Sequence, residues 1–305
     1  MPTSVSDLEA VGFAVTGFTC WVLADTSIKM VGASNLPAYE VLAFLGLFIV
    51  ALLLLRGAWL HEIKTVWPKR PGRQLIRSSL DLANNICVVI ALRHLPLTMF
   101  YILVFMSPMV ITLMAALFLH ERLEWQRAAA IVAGFVGVVV AVDPLGSFRQ
   151  GDWVGYAACM VCVACFSTNM VWGRVMTRTE TPESLTFASG LLMAVTGFAC
   201  MLWRAEPLTE KLTAVLIAMG LFCAFGSICF FIALKHTSAA NVSQYHYTQL
   251  LTGALVGYLL WREKPTIYMI VGGAIIILSG VYIAVRASKQ QLEELPTFPF
   301  VPFNE

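Results

Sequence analysis

The sequence contains very little charge. Only 12% of its 305 residues are Asp, Glu, Lys or Arg, 59% are apolar, and the mean hydropathy is +0.78. Soluble domains usually have about 25% charged residues, so this composition excludes an ordinary water-soluble protein. The net charge of +2 also argues against a polyanionic partner, and we expect no nucleic-acid binding. The chain is therefore predicted to be surrounded by lipid.

Motifs for several common chemistries are also missing. No Gly-x-x-x-x-Gly-Lys-Ser/Thr run is present to hold the phosphates of ATP. The run from His120 to Leu123 lacks a second histidine at zinc-protease spacing. The run Cys159-x-x-Cys162-x-x-Cys165 lies inside an apolar stretch, where cysteine serves as a small apolar side chain. We predict neither an enzyme nor a metal site, and no cofactor.

The sequence does contain many long apolar stretches. A bilayer core requires roughly 20 apolar residues per spanning helix. Ten stretches approach that length and are numbered here as spans 1 to 10: 9–31, 35–56, 74–93, 97–119, 126–142, 153–174, 184–203, 213–234, 241–261 and 266–286. The predicted fold class is an all-α integral membrane protein with ten transmembrane helices.

The second half of the chain repeats the first. Ala91-Leu92-Arg93-His94 and Ala233-Leu234-Lys235-His236 each end 27 residues before a glutamate, Glu121 or Glu263. Five spans per copy is an odd number, so the second copy must enter the membrane from the opposite side, and the repeats are predicted to be inverted. The predicted boundaries are 1–146 for the first repeat, 147–288 for the second and 289–305 for a disordered tail.

Lysine and arginine are distributed unevenly between the two predicted membrane faces. With the first span entering from the cytoplasm, thirteen of them fall on the cytoplasmic side and six on the other, while Lys29 lies inside span 1. The positive-inside rule then predicts that both termini are cytoplasmic. The expected location is the cytoplasmic (inner) membrane, where the chain contacts membrane lipid.

Several short motifs occur in an order typical of one family. They are Arg77, Ala91-Leu92-Arg93-His94-Leu95-Pro96-Leu97, Ser107-Pro108, Leu119-His120-Glu121-Arg122 and Gly134-Phe135-Val136-Gly137-Val138. On these motifs nearly the whole chain resembles the EamA type of the drug/metabolite transporter superfamily. The resemblance implies a central cavity lined chiefly by spans 3, 4, 8 and 9, with contributions from spans 1, 2, 6 and 7. The chain departs from the family in span 2, where Leu45 follows Glu40 and Phe44 in place of a frequent arginine.

Ionisable side chains inside spans 1 and 3 indicate where such a cavity lies. Asp25 and Lys29 are four residues apart on one helix face, so they either neutralise each other or separate to hold a zwitterion. Asp81, Asn84 and Asn85 form one polar stripe, which favours a cavity over hydrogen bonding between helices. Asp81 is the candidate for binding a substrate ammonium or for carrying a coupled proton.

Span 9 has the densest polar face, made by Gln244, Tyr245, His246, Thr248 and Gln249 at helical spacing. For His246, a structural role and a functional role are both open. Other spans add the predicted site residues Trp21, Tyr101, Asn169 and Trp172. Aromatic rings combined with amide and hydroxyl groups suit a small polar organic molecule.

Three further residues are assigned structural roles. Pro108 is expected to kink span 4, because proline lacks the N–H needed by the helix. Glu121 and Glu263 are expected to cap the short turns that contain them, each neutralised by an adjacent residue, Arg122 or Lys264.

Together these features predict a secondary carrier that exports a small polar or zwitterionic, amino-acid-like metabolite by alternating access. The alternative is an uptake or exchange carrier for nucleoside-like or S-adenosylmethionine-like compounds. A channel or an intramembrane enzyme fits less well, because inverted repeats around a polar cluster suit alternating access. Homodimerisation is open, since Gly272, Gly273 and Gly280 could pack within the chain or against a second copy.

Overall fold

The computed structural model describes residues 7–32, 34, 36–118, 125–142, 153–237, 242 and 245–293. Within these ranges the chain is helical apart from short turns. The helices of the first half are Asp7–Gly32 (span 1), Ala38–Trp59 (span 2), Pro71–His94 (span 3), Leu97–Val104 and Ser107–Phe118 (span 4) and Trp125–Val142 (span 5). Those of the second half are Trp153–Met176 (span 6), Pro182–Met201 (span 7), Glu210–His236 (span 8), Thr248–Trp261 (span 9) and Ile267–Glu293 (span 10). Short 3₁₀ turns lie at Ile63–Thr65 and Tyr245–Tyr247.

All ten predicted spans are therefore helices, as the sequence indicates. Six of them, spans 1, 2, 3, 6, 7 and 8, are long and apolar enough to cross a membrane by themselves, and the other four contain shorter apolar helices. Span 10 continues to Glu293, so its helix extends into the tail predicted for residues 289–305. Large apolar side chains cover the outer surface, with Leu55, Leu251 and Leu278 at least 70% exposed. Such a surface is suited to lipid, and the fold is that of an integral membrane protein.

Equivalent spans of the two halves run antiparallel to each other. In the contact between spans 2 and 7, Ala43 approaches Gly197 at one end while Ile49 approaches Gly190 at the other. The same reversal appears between spans 4 and 9 and between spans 5 and 10, in the pairs Thr98–Gly257, Tyr101–Gly253, Gly137–Ile275 and Ala141–Gly272. A helix can oppose its own counterpart in this way only if the two halves are inverted relative to each other.

The remaining spans exchange partners between the halves. Span 1 packs against span 8, and span 6, the counterpart of span 1, packs against span 3, the counterpart of span 8. The contact between spans 1 and 8 therefore has a counterpart in the contact between spans 6 and 3, as expected for two halves with the same internal order of helices. The repeats are joined across their whole length, with a space left between them at mid-depth.

Two of these interfaces require glycine. A Cβ atom on Gly46 would lie 2.3 Å from the Gly190 carbonyl oxygen, and one on Gly272 would lie 2.4 Å from the Gly137 carbonyl oxygen. Neither backbone can retreat without opening the interface, so a larger residue is excluded at both positions. Gly272 therefore packs within the chain, and its proposed use in a homodimer is not needed to explain it.

Candidate functional site

A cavity lies between the two halves, about midway along the helices. It is lined by residues from spans 1 to 4 and 6 to 9, and among the described residues none from spans 5 or 10 reaches it. This arrangement agrees with the cavity that the family resemblance implies. Its wall is more even than expected, because spans 1 and 6 each contribute four side chains, as spans 3 and 8 do.

Most of the predicted site residues are brought together here. Nine of the fourteen line the cavity: Trp21, Asp25, Asp81, Asn84, Asn85, Tyr101, Asn169, His246 and Gln249. Four others do not reach it: Lys29, Trp172, Tyr245 and Thr248. Gln244 lies outside the described residues. Substrate binding by the nine remains a prediction.

The polar face of span 9 is only partly directed at the cavity. Tyr245 and Trp172 are half-buried against an apolar cluster formed by spans 1, 6 and 8. The Thr248 hydroxyl donates to the Tyr245 carbonyl at 2.7 Å, so it satisfies a backbone group of its own segment. The prediction for Tyr245 and Thr248 was based on regular helical spacing, and the 3₁₀ turn at Tyr245–Tyr247 breaks that spacing.

Asp25 is hydrogen-bonded but has no ion-pair partner in the described part of the chain. The Tyr101 hydroxyl donates to Asp25 Oδ2 at 2.8 Å. An ion pair between Asp25 and Lys29 was one of the two sequence alternatives, and it is wrong for this structure. Lys29 instead extends along span 1 and binds Glu263.

Lys29 and Glu263 belong to a cluster at the membrane face where spans 1, 4 and 9 meet. Glu263 accepts hydrogen bonds from the backbone N–H groups of Leu97 at 3.2 Å and Thr98 at 3.3 Å. These are among the first N–H groups of a helix, which have no partner inside the helix. Lys29, Leu97, Thr98 and Glu263 are named here the Glu263 latch.

The latch corrects the predicted role of Glu263. This residue does act as a cap, but it caps span 4, which belongs to the other repeat, instead of its own turn. Lys29, and not the adjacent Lys264, supplies the opposite charge. The equivalent residue of the first repeat, Glu121, lies outside the described residues.

Arg77 is fully buried beside the cavity. It was not among the predicted site residues, although it supports one of them, Asp81. Its guanidinium faces the Phe231 ring, with 5.3 Å between the guanidinium carbon and the ring centroid. It donates four hydrogen bonds, to Asn169 Oδ1 (3.1 Å), Ser189 Oγ (2.7 Å), the Leu185 carbonyl (2.5 Å) and Gln74 Oε1 (3.4 Å). A buried guanidinium needs such a set of acceptors, since it cannot lose its charge.

Asn169 connects Arg77 to Asp81. Its Oδ1 accepts from Arg77, and its Nδ2 donates to Asp81 Oδ1 at 3.2 Å. Asp81 is therefore provided with an opposite charge through a single amide group. The sequence signal for this arrangement is the spacing of four residues between Arg77 and Asp81.

The two asparagines of the span 3 stripe complete this wall of the cavity. Asn85 Nδ2 donates to the Asp81 backbone carbonyl at 2.9 Å. Asn84 Oδ1 accepts from the Cys162 thiol, with 3.2 Å between oxygen and sulfur. Cys162 is buried and acts here as a small, weakly polar side chain.

His246 lies in a cluster of aromatic rings. Its ring stacks on Phe18 with 4.8 Å between centroids, and the rings of Phe166 and Phe105 are 5.0 Å and 5.6 Å away. The adjacent cavity residue Gln249 donates to the Phe18 carbonyl at 3.1 Å. These contacts fix the start of the span 9 helix against span 1, so a structural role accounts for the position of His246, and a functional role stays open.

Span 4 is interrupted, and at the equivalent position of span 9 a 3₁₀ turn at Tyr245–Tyr247 precedes the helix that begins at Thr248. Span 4 breaks between Val104 and Ser107, just before Pro108, which cannot donate a hydrogen bond to the Val104 carbonyl. The Ser107 hydroxyl donates to that carbonyl instead, at 2.6 Å. The helix is therefore broken one turn before Pro108, and a kink at this point stays a prediction. Discontinuous helices are typical of the substrate region of inverted-repeat carriers.

The sequence matches the EamA-like transporter family over residues 8–142 and again over residues 153–286. The chain belongs to this family. Each half carries one copy of the family's unit, in agreement with the inverted halves of the fold. The EamA-like chain is therefore a multi-pass membrane transporter, and its cavity is the expected place for a small-molecule substrate.

Characterised relatives are similar over most of their length. An S-adenosylmethionine uptake transporter of Rickettsia bellii is 25% identical, and the match covers 89% of this chain and 91% of the relative. A pseudopaline exporter, CntI, of Pseudomonas aeruginosa is 25% identical, with 87% and 95% covered. A riboflavin transporter of Rhizobium johnstonii is 28% identical, with 77% and 76% covered. The family thus includes both uptake carriers and exporters.

A solved crystal structure has the same fold. It aligns with a TM-score of 0.67 at 16% identity, covering 93% of this chain and 99% of the other. At this identity the likeness concerns the fold alone. It supports the fold described here for the EamA-like chain.

Proposed function

We propose that this EamA-like protein is a secondary active transporter that exports a small polar or zwitterionic, amino-acid-like metabolite by alternating access. The observation that carries the proposal is the mid-depth cavity between inverted halves, which contains the carboxylates of Asp25 and Asp81. Carriers built from inverted repeats bind their substrates at this depth and expose them to each side in turn. The proposed location is the cytoplasmic membrane, with both termini in the cytoplasm.

The Glu263 latch supports alternating access. It joins spans 1, 4 and 9 at one membrane face, through the ion pair with Lys29 and the bonds to Leu97 and Thr98. In the proposed cycle, these contacts open before substrate leaves through that face. The side chains of Lys29 and Glu263 are 13% and 14% exposed, so the ion pair between them is largely shielded from water.

Coupling to a proton gradient is assigned to Asp81. The chain has no ATP-binding motif, so the energy for accumulation must come from a gradient. Asp81 accepts a hydrogen bond from Asn169, and Asn169 accepts one from Arg77. Protonation of Asp81 would weaken its attraction to Arg77 and release the contact between spans 3 and 6.

This proposal is tested with Asp81→Asn in proteoliposomes. The variant should lose accumulation against a concentration gradient, because its side chain no longer titrates, while saturable counterflow continues. Counterflow is the sharper readout for the carrier itself, since it requires substrate to occupy one site on both sides in turn. Unchanged gradient-driven accumulation in Asp81→Asn would remove this residue from coupling, and absence of counterflow for any metabolite would refute the carrier.

A second candidate is uptake or exchange of a nucleoside-like or S-adenosylmethionine-like compound. The aromatic wall of the cavity favours it, because Trp21, Phe166 and Phe230 provide faces for a planar ring, with Trp21 and Phe230 centroids 4.7 Å apart. The names of the S-adenosylmethionine and riboflavin carriers among the relatives are consistent with such a substrate. Export and uptake are distinguished by comparing substrate retention in cells with and without the transporter.

A further inference from the structure

We propose that Asp25 is the anchor for a cationic group of the transported compound, either an ammonium or a sulfonium. This inference rests on the proposed transport function and narrows its substrate class. Its basis is a difference between the two carboxylates that line the cavity. Asp81 has an opposite charge supplied by the protein, whereas Asp25 has only a hydroxyl group.

The cation that the sequence places near Asp25 is used elsewhere. Lys29 lies one helical turn after Asp25, but its ammonium binds Glu263 and donates to the Leu95 carbonyl at 3.4 Å. It also lies 5.1 Å from the centre of the Trp261 ring. These contacts hold the ammonium at the membrane face, away from the cavity. Asp25 therefore keeps an uncompensated carboxylate in a membrane interior, where a charge without a partner is costly.

Arg77 cannot take the place of Lys29. It is directed into the wall of spans 6 and 7, where four of its five N–H groups already donate hydrogen bonds. It is 0% exposed and does not line the cavity. With Arg77 assigned to Asp81, the Asp25 carboxyl group is left without a cation from the described part of the protein, and no lysine or arginine lines the cavity to receive a substrate anion.

The surroundings of Asp25 suit an organic cation. Trp21 precedes Asp25 by one turn on the same helix face, and its ring is bordered by Phe230 at 4.7 Å and Phe166 at 6.1 Å between centroids. Aromatic faces attract ammonium and sulfonium groups through their negative π surfaces. The amide groups of Asn84 and Asn85 border the same space and can donate to a carboxylate of a zwitterion. Compounds that bear only negative charge are excluded.

The test uses ligand pairs that differ mainly in charge, added to the purified full-length protein. The pairs are S-adenosylmethionine and S-adenosylhomocysteine for a sulfonium, choline and 3,3-dimethylbutanol for a quaternary ammonium, and norleucine and 2-hydroxyhexanoate for the α-ammonium of an amino acid. In at least one pair, the member with the additional cationic group should raise the melting temperature, and its counterpart without that group should raise it much less. For the stabilising ligand, Asp25→Asn should weaken binding by about tenfold or more, the usual consequence of removing one partner of a close charge pair.

Two further variants control for folding and for total charge. Asp25→Glu keeps the carboxylate and should retain the preference for the cation. Glu183→Gln removes a negative charge outside the cavity, from an ion pair in which Arg56 Nη1 and Glu183 Oε1 are 2.9 Å apart. This variant should bind the cationic ligand as the wild type does. Equal stabilisation by both members of every pair, retained preference in Asp25→Asn, or no response to any cationic member would each overturn the inference. If proteoliposomes still show counterflow of another metabolite, the transport function survives; without any counterflow, both proposals are lost.

Discussion

In the cavity wall formed by spans 3, 6 and 7, the carboxylate of Asp81 has an arginine to balance its charge. In the wall formed by spans 1 and 4, the carboxylate of Asp25 has no such cation. Both walls contain an acid and a base four residues apart, Arg77 with Asp81 and Asp25 with Lys29. Arg77 serves Asp81 through Asn169, but Lys29 leaves Asp25 for Glu263. Equal spacing in the sequence thus leads to opposite electrostatic outcomes, because other helices supply competing partners.

The largest expected effect comes from breaking the compensated wall. Arg77→Gln removes a buried guanidinium with four hydrogen bonds and leaves Asp81 without its opposite charge. Removing one partner of a buried charged network typically costs about 3–5 kcal/mol of the free energy of unfolding. Thermal and denaturant unfolding of the purified protein in detergent would measure this loss.

The double variant Arg77→Gln/Asp81→Asn separates charge from hydrogen bonding. It should recover part of the stability lost in Arg77→Gln, because no unpaired charge remains. A double variant as unstable as the single one would contradict the compensation of Asp81 by Arg77 and would assign the loss to the hydrogen bonds alone.

A smaller effect should follow from redirecting Lys29. Glu263→Gln removes the charge that holds the Lys29 ammonium, which can then pair with Asp25 one turn away. Lys29 would then balance the charge of Asp25, and affinity for a cationic ligand should fall by about tenfold, equivalent to about 1.4 kcal/mol. Ligand titrations followed by thermal shift would detect this change.

The control for that prediction is Glu263→Gln/Lys29→Met. Without the lysine, nothing neutralises Asp25, so cation affinity should return towards the wild-type value even though the latch is absent. If affinity stays low in the double variant, the loss in Glu263→Gln comes from the opened latch, and the competition between Asp25 and Glu263 for Lys29 is refuted.

The smallest expected effect concerns the hydroxyl beside Asp25. Tyr101→Phe deletes the 2.8 Å hydrogen bond to Asp25 Oδ2, and one intramolecular hydrogen bond contributes a net free energy of about 1 kcal/mol to stability. The matched variant Tyr39→Phe deletes a bond from a hydroxyl to the exposed Arg204 carbonyl, at 3.1 Å, and should cost less. Equal melting temperatures for the two variants would show that Asp25 gains nothing from Tyr101.

Much of the site could be predicted because polar residues are rare inside apolar spans. Asp25, Asp81, Asn84, Asn85 and Asn169 stand out for this reason, and the cavity gathers all five. The prediction was wrong where regular helical spacing does not continue. Tyr245 and Thr248 were placed on a regular helix, but a 3₁₀ turn precedes the span 9 helix and turns them away from the cavity. Arg77 could not be predicted as a partner of Asp81, because it lies only six residues after the start of its helix, near the predicted cytoplasmic end of span 3.

The sequence by itself determined the number of spans and the inversion of the halves, since apolar length defines each helix and an odd count per repeat reverses the second copy. It also determined that charges lie within the membrane. Only the tertiary structure decided which charges meet, because long side chains such as Lys29 and Arg77 can reach several partners. The helices packed beside them determine which partner is bound: Glu263 from span 9 for Lys29, and Asn169 from span 6 for Arg77.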